Sequence, residues 1–233
     1  MKYKNLVLLG TSHIAKQSMH EVKKYIEEGH PHIIAIELDT KRLPALMHKG
    51  PRKIEFRNIR SIGLKGFIFS LFGAWAEKKL GKIVGVAPGS EIKQAIMIAK
   101  KENIELALID QDIEITLKRL SKTLTWKEKF NFLSDIIQAL FTRSKELDFD
   151  LRTVPDKKII RKLTDKLKER YPNVYRVLIE ERNFVIAKNL KELMASNPDK
   201  KILVILGAGH VDDVLELIKQ NEEPKISFSF KVG

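Results

Sequence analysis

The sequence predicts an α/β protein with a mostly parallel central sheet, flanking helices and a helical insertion. Short apolar runs alternate with amphipathic segments along the chain, which is the pattern of β-α-β units. Two of the runs also end alike: LVLLGTSH at 6–13 and LVILGAGH at 203–210 each continue into Gly-x-x-His. An apolar run that stops at glycine is typical of a buried strand ending in a tight turn.

Composition excludes several classes of protein. The 233 residues include no cysteine, so a disulfide framework, a zinc–thiolate site and a cysteine nucleophile are excluded. We find no signal peptide and no apolar run long enough to span a membrane. We expect one domain over 1–233, with helical insertions at about 51–82 and 126–195. The expected location is the cytoplasm, with the inner face of the membrane as the alternative.

The formal net charge of +13 favours acidic partners such as nucleic acid, anionic lipid or an acidic substrate. The charge is spread over the whole chain, which favours an ordinary solvated surface. No helix-turn-helix, zinc or RNA-binding signature accompanies it, so we expect no nucleic-acid partner.

The first β-α-β unit occupies the N-terminal region. A strand is predicted at 5–9, and Ser18 and Glu21 predict a capping box for a helix that ends near Gly29. A second buried strand follows at Ile33–Leu38. The helix between two such strands implies parallel pairing.

Glu37 interrupts the second apolar run. A carboxylate there is costly unless it is paired or binds a metal, although a solvated structural role at the strand end is the alternative. Its position puts it on the same sheet edge as His13. The next segment, Asp39–Lys49, predicts a short helix that places Arg42 close behind Glu37.

The segment 59–79 is aromatic-rich, apolar on a broad face and flanked by basic residues. A helix of this kind can lie on a membrane surface. It can also be a lid, a dimer contact or a core helix. We favour the core or dimer interpretation.

A third buried strand, Ile104–Asp110, ends in acid. Asp110 and Asp112 follow at the carboxyl edge and are weaker site candidates, because either can simply cap the next helix. Helix starts are predicted at Pro88–Glu91 and at the capping box Thr125–Glu128. The C-terminal region predicts a loop at 142–160, a helix resuming near Lys157, a long helix Asn173–Ala195, a strand at 202–206, a helix Val211–Lys219 and an edge strand Ile226–Val232.

Two histidines and one glutamate fall at carboxyl ends of predicted parallel strands. His13, Glu37 and His210 form a candidate two-histidine, one-carboxylate metal site with positions left for water and substrate. Without a metal, one histidine can act as a general base oriented by Glu37, with arginine or asparagine donors for an oxyanion. Ser12 is not interpreted as a hydrolase nucleophile, and four further histidines are expected at the surface: His20, His30, His32 and His48.

Six motifs resemble the TraB family, which includes the TraB/PrgY/GumN and Tiki-like proteins, in order and spacing across nearly the whole chain. They are GTSH at 10–13, IELD at 36–39 followed by Arg42, PGSE at 88–91, IDQDIEITLKRL at 109–120, EERN at 180–183 and GAGH at 207–210. The family is similar in fold to the erythromycin-esterase/ChaN-like group. Its Tiki-like members are regarded as metal-dependent proteases that use the two GxxH histidines and a glutamate. PrgY/TraB members are associated with shutting down a peptide pheromone.

The resemblance implies that His13, Glu37 and His210 form the centre. Polar positions of the family pattern fall on Arg119, Arg182 and Asn183. The last two belong to the EERN row on the predicted long helix, and helical geometry requires half of that row to face solvent. Two departures stand out. Gln111-Asp112 replaces a frequent Arg-Pro, and many members continue into a membrane-embedded C-terminal region.

The leading hypothesis from the sequence is a metal-dependent hydrolase, most plausibly a peptidase. It would use manganese, cobalt or zinc and act on a peptide or small acyl substrate. A non-catalytic peptide- or anion-binding module is the second hypothesis. A peripheral membrane or scaffold protein that uses the 59–79 helix is the third, and the same helix makes a homodimer plausible.

Overall fold

A computed structural model describes residues 1–11, 16–48, 89–141 and 157–220. These residues form a five-stranded sheet in the order β1-β2-β5-β3-β4. Only the short β1 runs antiparallel to its neighbour, so the sheet is mostly parallel and the predicted α/β class is confirmed. The strands are β1 (Lys2–Tyr3), β2 (Leu6–Thr11), β3 (Ile33–Ile36), β4 (Glu105–Leu108) and β5 (Ile202–Gly207).

Helices cover both faces of the sheet. Along β5, Ile202, Val204 and Leu206 pack on one side, and Leu203 and Ile205 pack on the other. Both sets are buried because helices lie on both faces, which explains why this strand is apolar throughout instead of alternating. The helices of the described residues are α1 (Lys16–Gly29), α2 (Arg42–Met47), α3 (Ser90–Lys101), α4 (Ile113–Thr123), α5 (Trp126–Phe141), α6 (Lys157–Arg170), α7 (Pro172–Tyr175), α8 (Glu181–Ser196) and α9 (Val211–Gln220).

One face of the sheet packs against α8 and α9, and the other packs against α1 and α3. Ile186, Ala187 and Leu190 of α8 belong to the same buried cluster as the sheet residues. The C-terminal part of the predicted 126–195 insertion is therefore a layer of the α/β core. The 51–82 insertion, the 59–79 helix and the Ile226–Val232 strand lie outside the described residues.

The two strands that carry the GxxH motifs are neighbours. Their register pairs Gly10 with Leu206 and Thr11 with Gly207. The turn that follows β5 crosses tightly over β2, since a Cβ on Gly10 would lie 3.1 Å from Val211 Cγ2 and 3.2 Å from Ala208 Cα. Glycine at position 10 permits this close approach.

One predicted helix start is wrong. Ser18 was expected to cap α1, but α1 begins two residues earlier, at Lys16, so Ser18 lies inside the helix and is buried. The predicted helix end at Gly29 is confirmed. The Thr125–Glu128 capping box is also confirmed, because Glu128 N donates to Thr125 Oγ1 at 3.3 Å and Thr125 N donates to Glu128 Oε2 at 3.0 Å.

Glu128 also joins two helical segments. Its Oε1 accepts hydrogen bonds from Asn173 N at 2.7 Å and Val174 N at 3.4 Å, at the start of α7. Burial by itself raises the pKa of Glu128, but the hydrogen bonds from Thr125 and Asn173 outweigh burial. The pKa therefore lies below the ordinary value of 4.5.

We expect Glu128→Ala to lower the free energy of unfolding by about 1–3 kcal/mol at pH 7, because it removes a cap and leaves buried donors unsatisfied. A folded-state pKa below 4.5 means that this stabilisation is complete above pH 4.5 and is lost as pH falls through the folded-state pKa. Urea unfolding of both proteins between pH 3 and pH 7 measures the effect. A stability difference that stays constant over this range would contradict the linkage.

Candidate functional site

Glu37 lies at the centre of a buried polar cluster at the carboxyl edge of the sheet. It follows β3 directly and is 5% exposed. Its Oε2 accepts a hydrogen bond from the backbone N–H of Gly207 at 2.6 Å, and its Oε1 accepts one from Arg182. Because Gly207 ends β5, the strand beside β3, the sheet itself holds this carboxylate in place.

Arg182 joins Glu37 to a second buried carboxylate, Asp110. Its Nη2 donates to Asp110 Oδ2 at 2.7 Å and its Nε donates to Asp110 Oδ1 at 3.0 Å. A forked contact of this kind is strong and directional. Burial alone lowers the pKa of Arg182, but the charges of Glu37 and Asp110 outweigh burial and raise it, so the guanidinium stays cationic.

A second guanidinium completes the cluster. Arg42 donates to Asp110 and to Asp39, both of them buried. Among the described residues, the cluster therefore combines the three carboxyl groups of Glu37, Asp39 and Asp110 with the two guanidinium groups of Arg42 and Arg182.

The polar row EERN at 180–183 begins at the last residue of an irregular turn of helix. Arg176–Glu180 is a π-helical segment between α7 and α8, and such segments are frequent at functional sites. Glu180 and Glu181 form ion pairs with Lys168 and Arg119 outside the cluster, whereas Arg182 and Asn183 turn inward. The row is thus divided, with its two glutamates outside the cluster and Arg182 and Asn183 inside it.

His210 follows β5 and is 5% exposed. Its Nδ1 lies 2.5 Å from Asn183 Oδ1, and Asn183 Nδ2 donates to Asp213 Oδ2 at 3.1 Å. An ionised carboxylate only accepts hydrogen bonds, so Asp213 orients the amide with its oxygen toward the imidazole. In this arrangement the imidazole Nδ1 donates to Asn183, and Nε2 is the ring nitrogen on the side of Glu37.

The Nε2 atom of His210 faces Glu37. His210 Nε2 and Glu37 Oε1 are 3.5 Å apart. A cation shared by the two atoms, either a proton or a metal ion, stabilises them. Two nitrogen or oxygen ligands about 2.1 Å from one ion lie roughly 3.4 Å apart at a tetrahedral angle, so this pair fits two ligands of one metal.

The described residues supply two ligands for such an ion. Within them, no group of three or more histidine, aspartate or glutamate side chains is placed to hold a metal. The third predicted ligand, His13, lies outside the described residues. The donor set present is an imidazole whose proton is held by Asn183 and a carboxylate beside it, which is the chemistry that divalent transition metals prefer.

The structure brings together four of the six predicted site residues: Glu37, Arg182, Asn183 and His210. Arg119 lies apart from them. Its side chain is 49% exposed and donates to Glu181 at 3.0 and 2.5 Å. The four histidines expected at the surface are exposed: His20, His30, His32 and His48.

Sequence reasoning underrated Asp110 and missed Asp213. Asp110 was a weaker candidate, yet it receives both guanidinium groups. Asp112 caps α4 by accepting from Glu114 N at 2.8 Å, as its alternative role required. The signal for Asp213 is its spacing, since it follows His210 by three residues, about one helical turn.

We expect Asn183→Leu to change the tautomer of His210. Without the amide oxygen, the imidazole can place its proton on Nε2 and donate to Glu37. Long-range ¹H–¹⁵N spectra should show the Nδ1–H form in the wild type and a shift toward the Nε2–H form in the variant. Asn189→Leu, also on α8, is the control and should keep the wild-type pattern; an unchanged tautomer in Asn183→Leu would contradict the assignment.

The layered fold gathers imidazole, carboxylate and guanidinium groups at the carboxyl edge of its parallel strands. This arrangement defines an α/β protein with a candidate ligand or reaction site at that edge. The sequence identifies the family of this α/β protein. The chain matches the TraB/PrgY/gumN family over residues 2–228 and belongs to it. The predicted family resemblance is confirmed.

Relatives in distant organisms can be aligned with most of this chain. An uncharacterized protein of Methanocaldococcus jannaschii is 37% identical over 220 residues, which cover 94% of this chain and 54% of that protein. TraB domain-containing proteins of Mus musculus and Homo sapiens are each 22% identical over 237 residues, which cover 89% of this chain and 61% of theirs. The chain thus spans little more than half the length of these relatives. In the part of the chain that the structure describes, no helix combines the length and the apolar character needed to cross a membrane.

Proposed function

We propose that this protein is a metal-dependent hydrolase, acting on a peptide bond at the carboxyl edge of its sheet. One observation carries the proposal. His210 Nε2 and Glu37 Oε1 face each other at 3.5 Å in a buried position, and the proton of the imidazole is held on the opposite nitrogen by Asn183. His13, the residue that the family resemblance implies as third ligand, would complete the set.

The residues around the pair support this assignment. In the described part of the chain, Glu37 and the neighbouring carboxyl groups of Asp39 and Asp110 place three acidic side chains at this edge. Arg182 and the Gly207 N–H together fix both oxygens of Glu37, so the carboxylate needs little reorganisation when it accepts a ligand. Fixed ligands of this kind favour a stable metal position over a transient one.

A divalent ion bound here would polarise a substrate carbonyl and lower the pKa of a bound water. The chain's own residues would orient the substrate and stabilise charge. Among the described residues, Arg182 donates directly to Glu37, and it would oppose negative charge that develops on a substrate oxygen. The choice of a peptide bond rests on the resemblance to the Tiki-like members.

Metal content tests the proposal. We expect purified protein to hold about one equivalent of manganese, cobalt or zinc by elemental mass spectrometry. His210→Ala and the double variant His13→Ala/His210→Ala should lose it. His20→Ala, an exposed histidine change, should keep it. The metal-loaded wild type should then hydrolyse members of a peptide mixture, and the two site variants should not.

Absence of metal from the wild type, even after soaking with manganese, cobalt and zinc, would contradict the proposal. It would favour a second candidate, a metal-free module that binds a peptide or anion without cleaving it. One observation favours that candidate, because Arg182 and Gly207 already satisfy Glu37 without an ion. It requires that site variants change affinity for a peptide while no product forms.

A further inference from the structure

A cavity of about 560 Å³ opens beside the GAGH turn. Gly10, Ala208 and Gly209 contribute to its lining, so small residues at the strand ends leave this space open. The beginning of α6 forms a wall, because a Cβ on Gly209 would lie 4.0 Å from Ile160 Cγ2. The volume falls within the range of about 300–1,000 Å³ that is usual for small-ligand sites.

The cavity is lined by charges of both signs. Lys158 and Arg161 lie one helical turn apart on α6, and both line it. Within the described ranges, neither forms an ion pair with a carboxylate. Asp165 and Asp213 line the same cavity, and Asp213 is the residue that orients Asn183 toward His210.

Tyr175 shows that the acidic residues converge. Tyr175 is 8% exposed and lines the cavity. Burial raises the pKa of its hydroxyl, and the carboxylates of Asp213, Glu180 and Asp165 raise it further. The carboxylates of Asp165 and Asp213 therefore lie on the Tyr175 side of the cavity, where Lys168 lies 5.1 Å from the Tyr175 ring centre and pairs with Glu180. Lys158 and Arg161 occupy exposed positions near the start of α6.

We propose that this cavity holds a short peptide substrate, with Lys158 and Arg161 binding a carboxylate of that peptide and the acidic side binding its ammonium group. The proposal rests on the proposed function, because the cavity reaches Asp213 and the turn that carries His210. Lys158 and Arg161, which have no ion-pair partner among the described residues, favour an anionic group, and a guanidinium one turn from an ammonium suits a carboxylate. The carboxylate is either the C-terminus of the peptide or an acidic side chain.

Binding measurements separate these sources without depending on hydrolysis. All proteins would carry Glu37→Gln so that no probe is cleaved, and affinity would be measured by isothermal titration calorimetry. The probes are trialanine, trialanine amide and the amide of Ala-Glu-Ala. The test variant is Lys158→Ser/Arg161→Ser. The matched control is Lys162→Ser/Lys166→Ser, which removes two charges from exposed positions of α6 that do not line the cavity.

We expect the test variant to bind trialanine about tenfold or more weakly than its parent, since it loses charge-assisted hydrogen bonds. The control should bind trialanine as the parent does. If trialanine alone is affected, the carboxylate is the C-terminus. If the Ala-Glu-Ala amide loses affinity instead, the carboxylate is a side chain.

Two results would overturn the proposal: equal binding of every probe by the parent and the test variant, or no binding of any probe by the parent. Failure of the proposed function has a different signature. In that case the wild type holds no metal and forms no product, yet the test variant still binds trialanine more weakly than the parent and the control do. Thermal unfolding of each variant verifies that the changes on α6 leave the fold intact.

Discussion

Arg182→Ala is expected to lower the free energy of unfolding by about 3–5 kcal/mol, because removal of one partner from a buried ion pair leaves the other charge uncompensated. Two carboxylates are affected at once, since Arg182 donates to both Glu37 and Asp110. Arg42 and the Gly207 N–H still contact them, which favours the lower end of the range. Urea unfolding followed by circular dichroism measures the change.

Arg119→Ala is the matched control. Arg119 also pairs with a glutamate of the same region, but its side chain is 49% exposed, so its loss should change the free energy of unfolding far less than the loss of Arg182 does. Arg182→Lys keeps the charge but not the fork, and its stability should fall between those of the wild type and Arg182→Ala. Equal stability of the two alanine variants would show that the cluster does not hold the sheet edge together.

The strands were predictable because their physics is local. Apolar runs such as Ile33–Ile36 and Ile202–Gly207 are buried on both faces, so their sequences are apolar throughout and end where a turn begins. Which strand lies beside which is not local. β5 enters between β2 and β3 although about 165 residues separate it from the end of β3. Only the similarity of the two GxxH units hinted that they are neighbours.

Sequence rules for helix starts fail where contacts with a distant part of the chain determine the start of the helix. Ser18 and Glu21 have the same spacing as Thr125 and Glu128, but only the second pair forms a capping box. Glu128 gains additional donors from Asn173, a residue far along the chain. The spacing permits a cap, and tertiary contacts determine whether the helix begins there.

The candidate site was predictable at the sheet edge and not around it. Glu37 and His210 meet because their strands are neighbours in a parallel sheet. The inward turn of Arg182 follows a π-helical segment, and no sequence period indicates where such a segment falls. The family pattern indicates Arg119 and Arg182 alike, but the helix that carries Arg119 turns it to the surface. Helical phase, which needs the packed neighbours, separates the two arginines.

Glu37→Gln is expected to reduce kcat/KM for peptide hydrolysis by about 10³-fold or more, because metal-assisted stabilisation contributes several kcal/mol to the transition state. Glutamine has nearly the same shape but only one acceptor atom. Both the Gly207 N–H and Arg182 donate to Glu37 in the wild type. The glutamine oxygen can accept from only one side of the site, so the amide nitrogen, which is a donor, would face the remaining donor. We therefore also expect loss of the metal and about 1–2 kcal/mol of stability.

Glu181→Gln provides the comparison for this change. Glu181 is the surface partner of Arg119, so the same substitution there removes a carboxylate of the same region without touching the cluster. Its kcat/KM and metal content should equal those of the wild type. If Glu37→Gln kept its metal and hydrolysed peptide within about threefold of the wild-type rate, less than 1 kcal/mol of transition-state stabilisation would be lost. The buried carboxylate would then be part of the framework of the sheet edge, and the reaction centre would lie elsewhere.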